Sequence, residues 1–426
     1  LTQGSATGYF PTITSTSTGV TFGAGVGSTT STVVLASGTT NLSASGVASW
    51  SNDSLWDRGV PNSQADAVIS SPSGPLTVDL TAGSYAASRL QTSADVSVNL
   101  SGGGASLALG GTSSPSSILG NLEVSSGASL QINGTANVGG LFRTSGSSAN
   151  LRGSGSGGHL TVTAGGTMVL SAPTTTIQDA LTLTNQGTAG ESTINGATVY
   201  FNSGPGYLVN SGTMKLEAGS IWNYGGYGSI TNSGLLTANP SSAGTWVLNT
   251  TINNEAGGVL RVAGGTLSMG QDGYNAFLHN AGTLQLDAGA VAQLYSGTGA
   301  YPSRLLDGSQ ITGPGLLRVI GGRTALVGSS TATHIEVTGG AIFGMTPDYV
   351  GQGVLGGGTV TVSGAFSTTG DLAWLEGDGA AGGVVVAPTG VMRLGASSTY
   401  IRGGFTLTNQ STTGESTING STVYFN

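Results

Sequence analysis

The feature that most constrains the fold is a short unit that recurs along most of the chain. In each unit two apolar residues flank a variable one, a turn follows that usually contains glycine, and a second apolar pair completes it. Examples are LEVSSGASLQI (122–132), LTVTAGGTMVL (160–170), LRVAGGTLSM (260–269) and LQLDAGAVAQL (284–294). Alternation with a period of two over three to five residues is typical of short β-strands that bury one face.

The spacing of the units predicts how the strands are arranged. Two sets of apolar residues recur at nearly constant intervals: Leu122, Leu141, Leu160 and Leu181, and then Met214, Leu236, Leu260 and Leu284. Such spacing indicates a solenoid, whereas propeller repeats run to about 40–45 residues. We therefore predict an all-β protein, a parallel β-helix (β-solenoid) of roughly 20–24 residues per coil, with aliphatic side chains stacked in interior columns.

Asparagine marks the turn that precedes each residue of the second set. The four turns read VNSGTM (209–214), TNSGLL (231–236), NNEAGGVL (253–260) and HNAGTL (279–284). Equivalent residues of successive coils lie about 4.8 Å apart along the axis. We therefore expect the asparagines to form a ladder along one corner of the solenoid.

A near-duplication spans much of the chain. Residues 181–202 match residues 405–426 at 18 of 22 positions, and the correspondence extends without a gap to 134–202 and 358–426, at a constant offset of 224 in the numbering. Glycine, small hydroxyl residues and alternating aliphatics recur, while reactive side chains do not, so the duplication indicates repeated architecture. Because the first copy runs on into SGPGYLVNSGTM (203–214), we expect either a further unit of the same length after Asn426 or stacking of this end on another subunit.

Three segments are predicted along the chain. Residues 1–50, rich in Ser, Thr and Gly, are assigned to an N-terminal arm or irregular cap. Residues 51–110 form an entry segment and the first coils. Trp50 and Trp56, in WSNDSLWDRGVPNSQADAVI (50–69), are expected to cover the first coils. Residues 111–426 form the solenoid, in which 295–315 lengthens one interval and is expected to be a protruding loop.

These patterns resemble a known class of bacterial proteins. The LWDRGVPNSQADAVI opening (55–69), followed by units such as LEVSSGASLQI and NSGTM, is similar to autotransporter-type β-helical surface adhesins, filamentous-haemagglutinin-like stalks and biofilm fibre proteins. The resemblance covers about residues 50–426 at the level of pattern. It implies a secreted, extracellular or cell-surface location and a structural role, and it transfers no functional residue.

Composition excludes several other classes. Glycine accounts for 76 of 426 residues, charged residues for 7%, and the formal net charge is −8, so the chain has no basic surface for nucleic acid. It contains no cysteine and no apolar run long enough to insert in a membrane as a helix. Whole-chain disorder is disfavoured because mean hydropathy is +0.15 and prolines number only 12.

Catalytic and metal-binding patterns are weak. A glycosidase needs two carboxylates about 5–10 Å apart, yet acids such as Asp79, Glu123 and Glu191 are isolated beside turns. Asp371, Glu376 and Asp378 form the densest acidic cluster and are a weak candidate for calcium. The three histidines stand far apart in sequence, so no zinc site is predicted. We expect no enzymatic activity and no cofactor.

Aromatic residues give the best indication of an interaction. Trp222 and Tyr224 alternate within IWNYGGYG (221–228), with Tyr227 close by. Pointing outward they would contact a glycan or a partner, and pointing inward they would fill the core, which we favour together with packing between subunits. The expected function is an extracellular fibre subunit or adhesin stalk that self-associates end to end in a surface or biofilm-matrix filament. The alternatives are a polysaccharide-degrading enzyme or an adhesin domain that binds glycans or a host cell surface.

Overall fold

The computed structural model confirms a parallel β-solenoid of about 15 turns. It describes residues 38–110, 114–155, 157–224, 228–240, 244–270, 276–295, 302–344, 357–377 and 382–426, together with the backbone of an antiparallel hairpin, Ile13–Thr16 and Gly19–Phe22. The described part contains strands, turns and one short 3₁₀ segment, Asp53–Leu55.

Each coil contributes three strands, which stack in parallel on the coils before and after it and so build three faces. Face 1 consists of Gly38–Ser43, Ala65–Ser70, Arg89–Thr92, Ser116–Ile118, Thr135–Val138, Gly158–Val162, Leu181–Asn185, Tyr207–Asn210, Ser229–Asn232, Thr251–Asn254, Leu278–Asn280, Ser303–Leu305, Arg323–Leu326, Ile342–Gly344, Leu372–Glu376, Ser398–Arg402 and Thr422–Phe425.

Face 2 consists of Gly46–Ser49, Leu76–Leu80, Val96–Ser101, Asn121–Ser125, Leu141–Ser145, Thr167–Leu170, Leu235–Ala238, Val259–Val262, Thr283–Leu286, Gln310–Thr312, Ser329–Ala332, Thr359–Val362, Gly382–Val386 and Phe405–Asn409. Face 3 consists of Gly83–Ala87, Ala105–Leu109, Ala128–Ile132, Ser148–Arg152, Thr174–Gln178, Thr245–Asn249, Thr266–Met269, Val291–Leu294, Leu316–Ile320, Ile335–Thr338, Ala365–Thr368, Val391–Leu394 and Thr417–Ile418. Two long strands, Ser192–Asn202 and Thr213–Tyr224, run from face 2 around the corner into face 3.

The second apolar set forms the interior column that its spacing predicts. Met214 pairs in register with Leu236, Leu236 with Leu260, and Leu260 with Leu284, all on face 2. All four side chains are fully buried. Since no coil can bury this face alone, the stability of each coil depends on its neighbours.

The first apolar set does not form a column, and that part of the prediction is wrong. Leu122 aligns with Phe142 rather than with Leu141, which points outward and is half-buried. Leu160 and Leu181 lie on face 1, where Leu160 aligns with Leu183. The step from Leu122 to Leu141 is one position shorter than the coil, and in a β-strand such a shift reverses the direction of every side chain.

The expected loop at 295–315 is also wrong in its second half. Ser303–Leu305 and Gln310–Thr312 are strands of faces 1 and 2, aligned with the coils on either side. Residues 296–301 lie outside the described part. The additional residues of this coil are therefore inserted before face 1, and the strands themselves keep their register.

The predicted asparagine ladder runs along the corner between faces 1 and 2. It comprises Asn185, Asn210, Asn232, Asn254 and Asn280, all buried. Each side-chain Nδ2 donates to Oδ1 of the next asparagine at 2.7–2.8 Å. Glycines stand beside the ladder because the coils approach closely there. A Cβ on Gly234, for example, would lie 2.1 Å from the carbonyl oxygen of Gly212.

Trp50 and Trp56, the two tryptophans expected to cover the first coils, are part of the core there. Trp50 and Trp56 are buried with ring centroids 5.2 Å apart, and Trp56 Nε1 donates to the Trp50 carbonyl at 2.8 Å. Asp57 then bonds to Asn41 in the strand Gly38–Ser43. Its carboxylate accepts from the backbone N–H of Asn41 at 2.7 Å, and its own N–H donates to the Asn41 carbonyl at 3.0 Å. The outer backbone groups of Asn41 are therefore satisfied within the chain.

The two sequence copies have the same local structure on different faces. Thr135–Val138 lies on face 1, whereas its counterpart Thr359–Val362 lies on face 2, and the later strands of the two copies keep this offset. Between these two strands the chain completes nine and one-third coils. Dividing the offset in the numbering by that number of coils gives about 24 residues per coil. The duplication therefore turns its second copy by one face around the axis.

Candidate functional site

Trp222 and Tyr224 point away from the core, contrary to the core packing that we favoured from sequence. They follow the buried Ile221 on face 3, and Tyr224 is 61% exposed while Trp222 is half-buried. Trp222 Nε1 donates to Ser220 Oγ at 2.8 Å, and Trp222 is in register with Tyr200 of the preceding coil. Tyr227 lies outside the described residues. Contact of this group with a glycan or partner stays a prediction.

A second outward aromatic column lies on face 1 near the C-terminus. Trp374 stacks on Tyr400 with ring centroids 4.2 Å apart, and Tyr400 stacks on Tyr424 at 4.5 Å. The guanidinium of Arg402 lies 4.3 Å from the Trp374 ring centroid. Because the rings face one another, most ring faces in this column are covered by a neighbouring ring, and Tyr424 ends the stack.

Ion pairs hold several of the isolated acids against bases of adjacent coils. Asp66 pairs with Arg89 at 2.7 Å, and Asp287 with Arg261 at 2.6 Å. The hydrogen bond from Arg261 lowers the pKa of Asp287, while partial burial opposes that shift. Pairs as exposed as these contribute little to stability, commonly below about 1 kcal/mol.

The structure describes two of the three acids in the cluster at 371–379. Asp371 is exposed, Glu376 pairs with Arg402 at 2.8 Å, and Asp378 lies outside the described residues. Within the described ranges, no group of three or more His, Asp or Glu side chains is arranged to hold a metal ion.

His279 is the most strongly perturbed ionisable group among the described residues. It lies on face 1, and its Nδ1 is 3.1 Å from Asn253 Oδ1. Burial, together with the positive charge of Arg304, lowers the pKa of His279 from 6.5 to about 4. The imidazole is therefore neutral at physiological pH and acts as a packed polar group.

A shallow groove of about 560 Å³ crosses the corner between faces 3 and 1 in the first copy. Gln131, Arg152, Asp179 and Ser203 are among its lining residues, and Arg152 pairs with Asp179 at 2.9 Å. Asp179 and its neighbour Ala180 have left-handed backbones, with φ of 55° and 61°. At the same turn the second copy has Gly403 and Gly404, so the first copy retains side chains where the conformation favours glycine.

The C-terminal edge is the end of the sequence where we predicted a further unit or stacking on another subunit. We define it as the last strand of each face: Phe405–Asn409, Thr417–Ile418 and Thr422–Phe425. Ile418 is 61% exposed and Phe425 76% exposed. Among the described residues, Thr422–Phe425 is paired with the preceding face-1 strand and with no other.

Comparison with known proteins found nothing similar to this chain: no family model matches it, and neither the curated proteins nor the solved structures contain a significant match. The functional proposals therefore depend on the molecule itself.

In the described part of the chain, no helix has the length and hydrophobicity needed to cross a bilayer.

Proposed function

We propose that the protein is an extracellular structural rod, a fibre subunit or adhesin stalk within a surface or biofilm-matrix filament. One observation carries this proposal: a continuous three-faced solenoid of about 15 turns built around one uninterrupted hydrophobic core. At about 4.8 Å per turn, the rod is roughly 70 Å long.

The surface chemistry supports the same role. The polar surface is supplied mainly by Ser, Thr, Asn and Gly, since charged residues make up only 7% of the chain. The charges that face each other across coils, such as Arg152 and Asp179 or Arg318 and Glu336, are paired. Each turn of such an array packs on its neighbours along one axis, as a stalk or fibre subunit requires, and heterologous contacts between ends generate filaments.

Electron microscopy of native material tests this proposal. Antibodies against the purified protein, applied to cells and to their extracellular matrix, are expected to label filaments or surface projections. Labelling confined to the cytoplasm, or recovery of the protein solely as free secreted monomers, would contradict the structural role.

Catalysis is the main alternative, and we propose that it is absent. Among the described acids, Asp179, Asp287 and Glu376 each pair with an arginine rather than with a second carboxylate. Incubation with pectin, alginate and other polysaccharides is expected to yield no new reducing ends. Release of reducing ends by the purified chain, abolished by one carboxylate-to-amide substitution, would establish the enzyme instead.

Glycan or host-surface binding is a second function that one observation favours. Trp222 and Tyr224 point outward, as a contact platform requires. On a glycan array, binding that is lost in Trp222→Ala and kept in Trp374→Ala would assign an adhesive role to this position. Equal loss in both variants would indicate a nonspecific aromatic effect.

A further inference from the structure

Two columns of outward side chains run along face 3, beside the groove at its corner with face 1, and we call them the face-3 strip. The outer column, in register on five successive rungs, consists of Gln131, Arg152, Gln178, Asn202 and Tyr224. The inner column consists of Ser129, Asn150, Thr176, Tyr200 and Trp222. All of these side chains are half-buried or exposed. In the first four rungs the residues between the two columns are fully buried: Leu130, Leu151, Ile177 and Phe201.

The strip offers amides and aromatic rings, and its charge is balanced. Four of its side chains are amides, which both donate and accept hydrogen bonds: Gln131, Asn150, Gln178 and Asn202. The ionic side chain of the strip, Arg152, is neutralised by Asp179, whose Oδ2 accepts from the arginine Nε at 2.9 Å. A ligand that matches this surface is therefore uncharged and rich in hydroxyl groups, with an apolar face for the rings.

The turns that line the groove beside the strip are strained. Asp179, Ala180 and Ser203 all line it, and all have left-handed backbones, with φ of 55°, 61° and 53°. Residues other than glycine rarely adopt this conformation, because it costs free energy. At the first two of these positions the second copy has Gly403 and Gly404. The first copy therefore keeps the Asp179 carboxylate beside the groove at a cost in stability, and such strain is common at ligand sites.

The second copy does not reproduce the strip. Its counterparts of Asn150, Arg152, Thr176 and Gln178 are Trp374, Glu376, Tyr400 and Arg402. There the two rings stack with centroids 4.2 Å apart, and the two charged side chains pair with each other. The second copy therefore has an aromatic stack and an ion pair where the first copy has amides and a hydroxyl group, and it supplies an internal control.

The length and direction of the strip define the shape of its ligand. Five rungs span four intervals of about 4.8 Å, or about 19 Å, in a line parallel to the solenoid axis. In an extended polysaccharide of equatorially linked pyranoses each sugar advances by about 5 Å, so that each sugar meets one rung. Such sugars carry hydroxyl groups around the rim and C–H groups on their two faces. The rim suits the amides and the faces suit the aromatic rings.

We propose that the face-3 strip binds an uncharged, extended polysaccharide of equatorially linked pyranoses that lies parallel to the solenoid axis. The amides bond to sugar hydroxyls, and Tyr200 and Tyr224 contact the apolar faces of the sugars at one end. Arg152, held in place by Asp179, donates its remaining N–H groups to the sugar beside the groove. This inference deepens the glycan-binding function proposed above and rests on it.

The test titrates cellohexaose into the full chain and measures binding by calorimetry. We expect saturable binding to the wild type, and binding at least about tenfold weaker to Tyr224→Ala and to Gln178→Ala. Neither side chain is part of the core, so both variants should fold. The matched control, Tyr400→Ala, changes the aromatic stack of the second copy and is expected to bind cellohexaose as the wild type does.

Two other oligosaccharides test the shape and charge of the ligand. Maltohexaose is uncharged, but its axial linkages curl the chain away from a straight line. An oligogalacturonate of the same length is anionic. Both are expected to bind at least about tenfold more weakly than cellohexaose.

Asp179→Gly separates binding from stability. It removes the carboxylate that holds Arg152 and introduces the glycine that the second copy has at this turn. Because glycine relaxes a left-handed position, we expect the urea midpoint not to fall, while cellohexaose binds at least about threefold more weakly.

Several results would overturn the proposal. They are no binding of cellohexaose, unchanged binding in Tyr224→Ala and Gln178→Ala, or equally tight binding of maltohexaose or oligogalacturonate. Self-association of the chain that Tyr224→Ala abolishes, without sugar binding, would show that a second copy covers the strip. If other glycans on the array bind through Trp222 while cellohexaose does not bind, the general glycan-binding function holds and this inference fails, so the two failures are distinguishable.

Discussion

The asparagine ladder gives the sharpest quantitative prediction, because the duplication supplies its own control. Asn185→Ala removes four hydrogen bonds: to Asn210 Oδ1 and the Thr213 carbonyl, and from the Gly187 N–H and the Ser192 hydroxyl. At about 1 kcal/mol net for each bond, the opening of this coil becomes easier by about 4 kcal/mol. The counterpart Asn409 is exposed and accepts from Ser411. We therefore expect Asn409→Ala to cost below about 1 kcal/mol.

Native-state hydrogen exchange measures this difference directly. Repeat arrays open locally, so exchange in peptides from 181–224 reports the free energy of the affected coil rather than a single global value. A loss of about 4 kcal/mol corresponds to roughly a thousandfold faster exchange in that region. Equal effects of the two substitutions, or a change below tenfold for Asn185→Ala, would refute the view that the ladder is a buried network that stabilises the coil.

Three further predictions concern the left-handed turn, the interior column and His279. Ala180→Gly is expected to raise the free energy of unfolding by about 1 kcal/mol and Gly404→Ala to lower it by a similar amount, since both positions are left-handed; urea denaturation checks both. Leu260→Ala is expected to lower the free energy of unfolding by about 2–5 kcal/mol, and Leu141→Ala by below about 1 kcal/mol, because only Leu260 is fully buried. Similar losses for both variants in urea denaturation would indicate that Leu141 is buried, as its spacing predicted. The pKa of His279 is lower in the folded than in the unfolded chain. The contribution of neutral His279 to the free energy of unfolding is therefore present above about pH 6.5 and is lost as the pH falls towards 4. This loss is on the order of 3 kcal/mol. The urea midpoint is measured between pH 7 and pH 4 for the wild type and for His279→Gln, and the same pH dependence in both proteins would contradict this role of His279.

The part of the fold that could be predicted from the sequence was the part with regular coils. From Met214 to Leu284 the intervals are nearly constant, the strands start after the same asparagine turn, and alignment by sequence and by structure agree. Earlier in the chain, Leu141 precedes Phe142, and either residue continues an alternating pattern. Only the pairing with Leu122 decides which one is buried, and that pairing depends on turns whose length varies.

The candidate surfaces show a similar division. Alternation correctly placed Trp222 and Tyr224 on one side of a strand, but which side depends on Ile221 facing the core. The Trp374–Tyr400–Tyr424 column was missed because each member lies on a different coil, and no local motif joins them. The duplication gives no signal for it either, since the counterparts of Trp374 and Tyr400 are Asn150 and Thr176. The exposure of Phe425 could not be inferred from residues nearly identical to those around the buried Phe201, because burial there is provided by the next coil.

Distances between spin labels along one face test the central claim most directly. The chain has no cysteine, so Gln91→Cys, Thr184→Cys and Thr231→Cys can be labelled in pairs without background. The side chains point outward on face 1, with Thr184 four rungs and Thr231 six rungs from Gln91. At about 4.8 Å per rung, we predict backbone separations of roughly 19 and 29 Å, rising in proportion to the number of rungs. Separations that do not follow the rung count would contradict a single stacked solenoid.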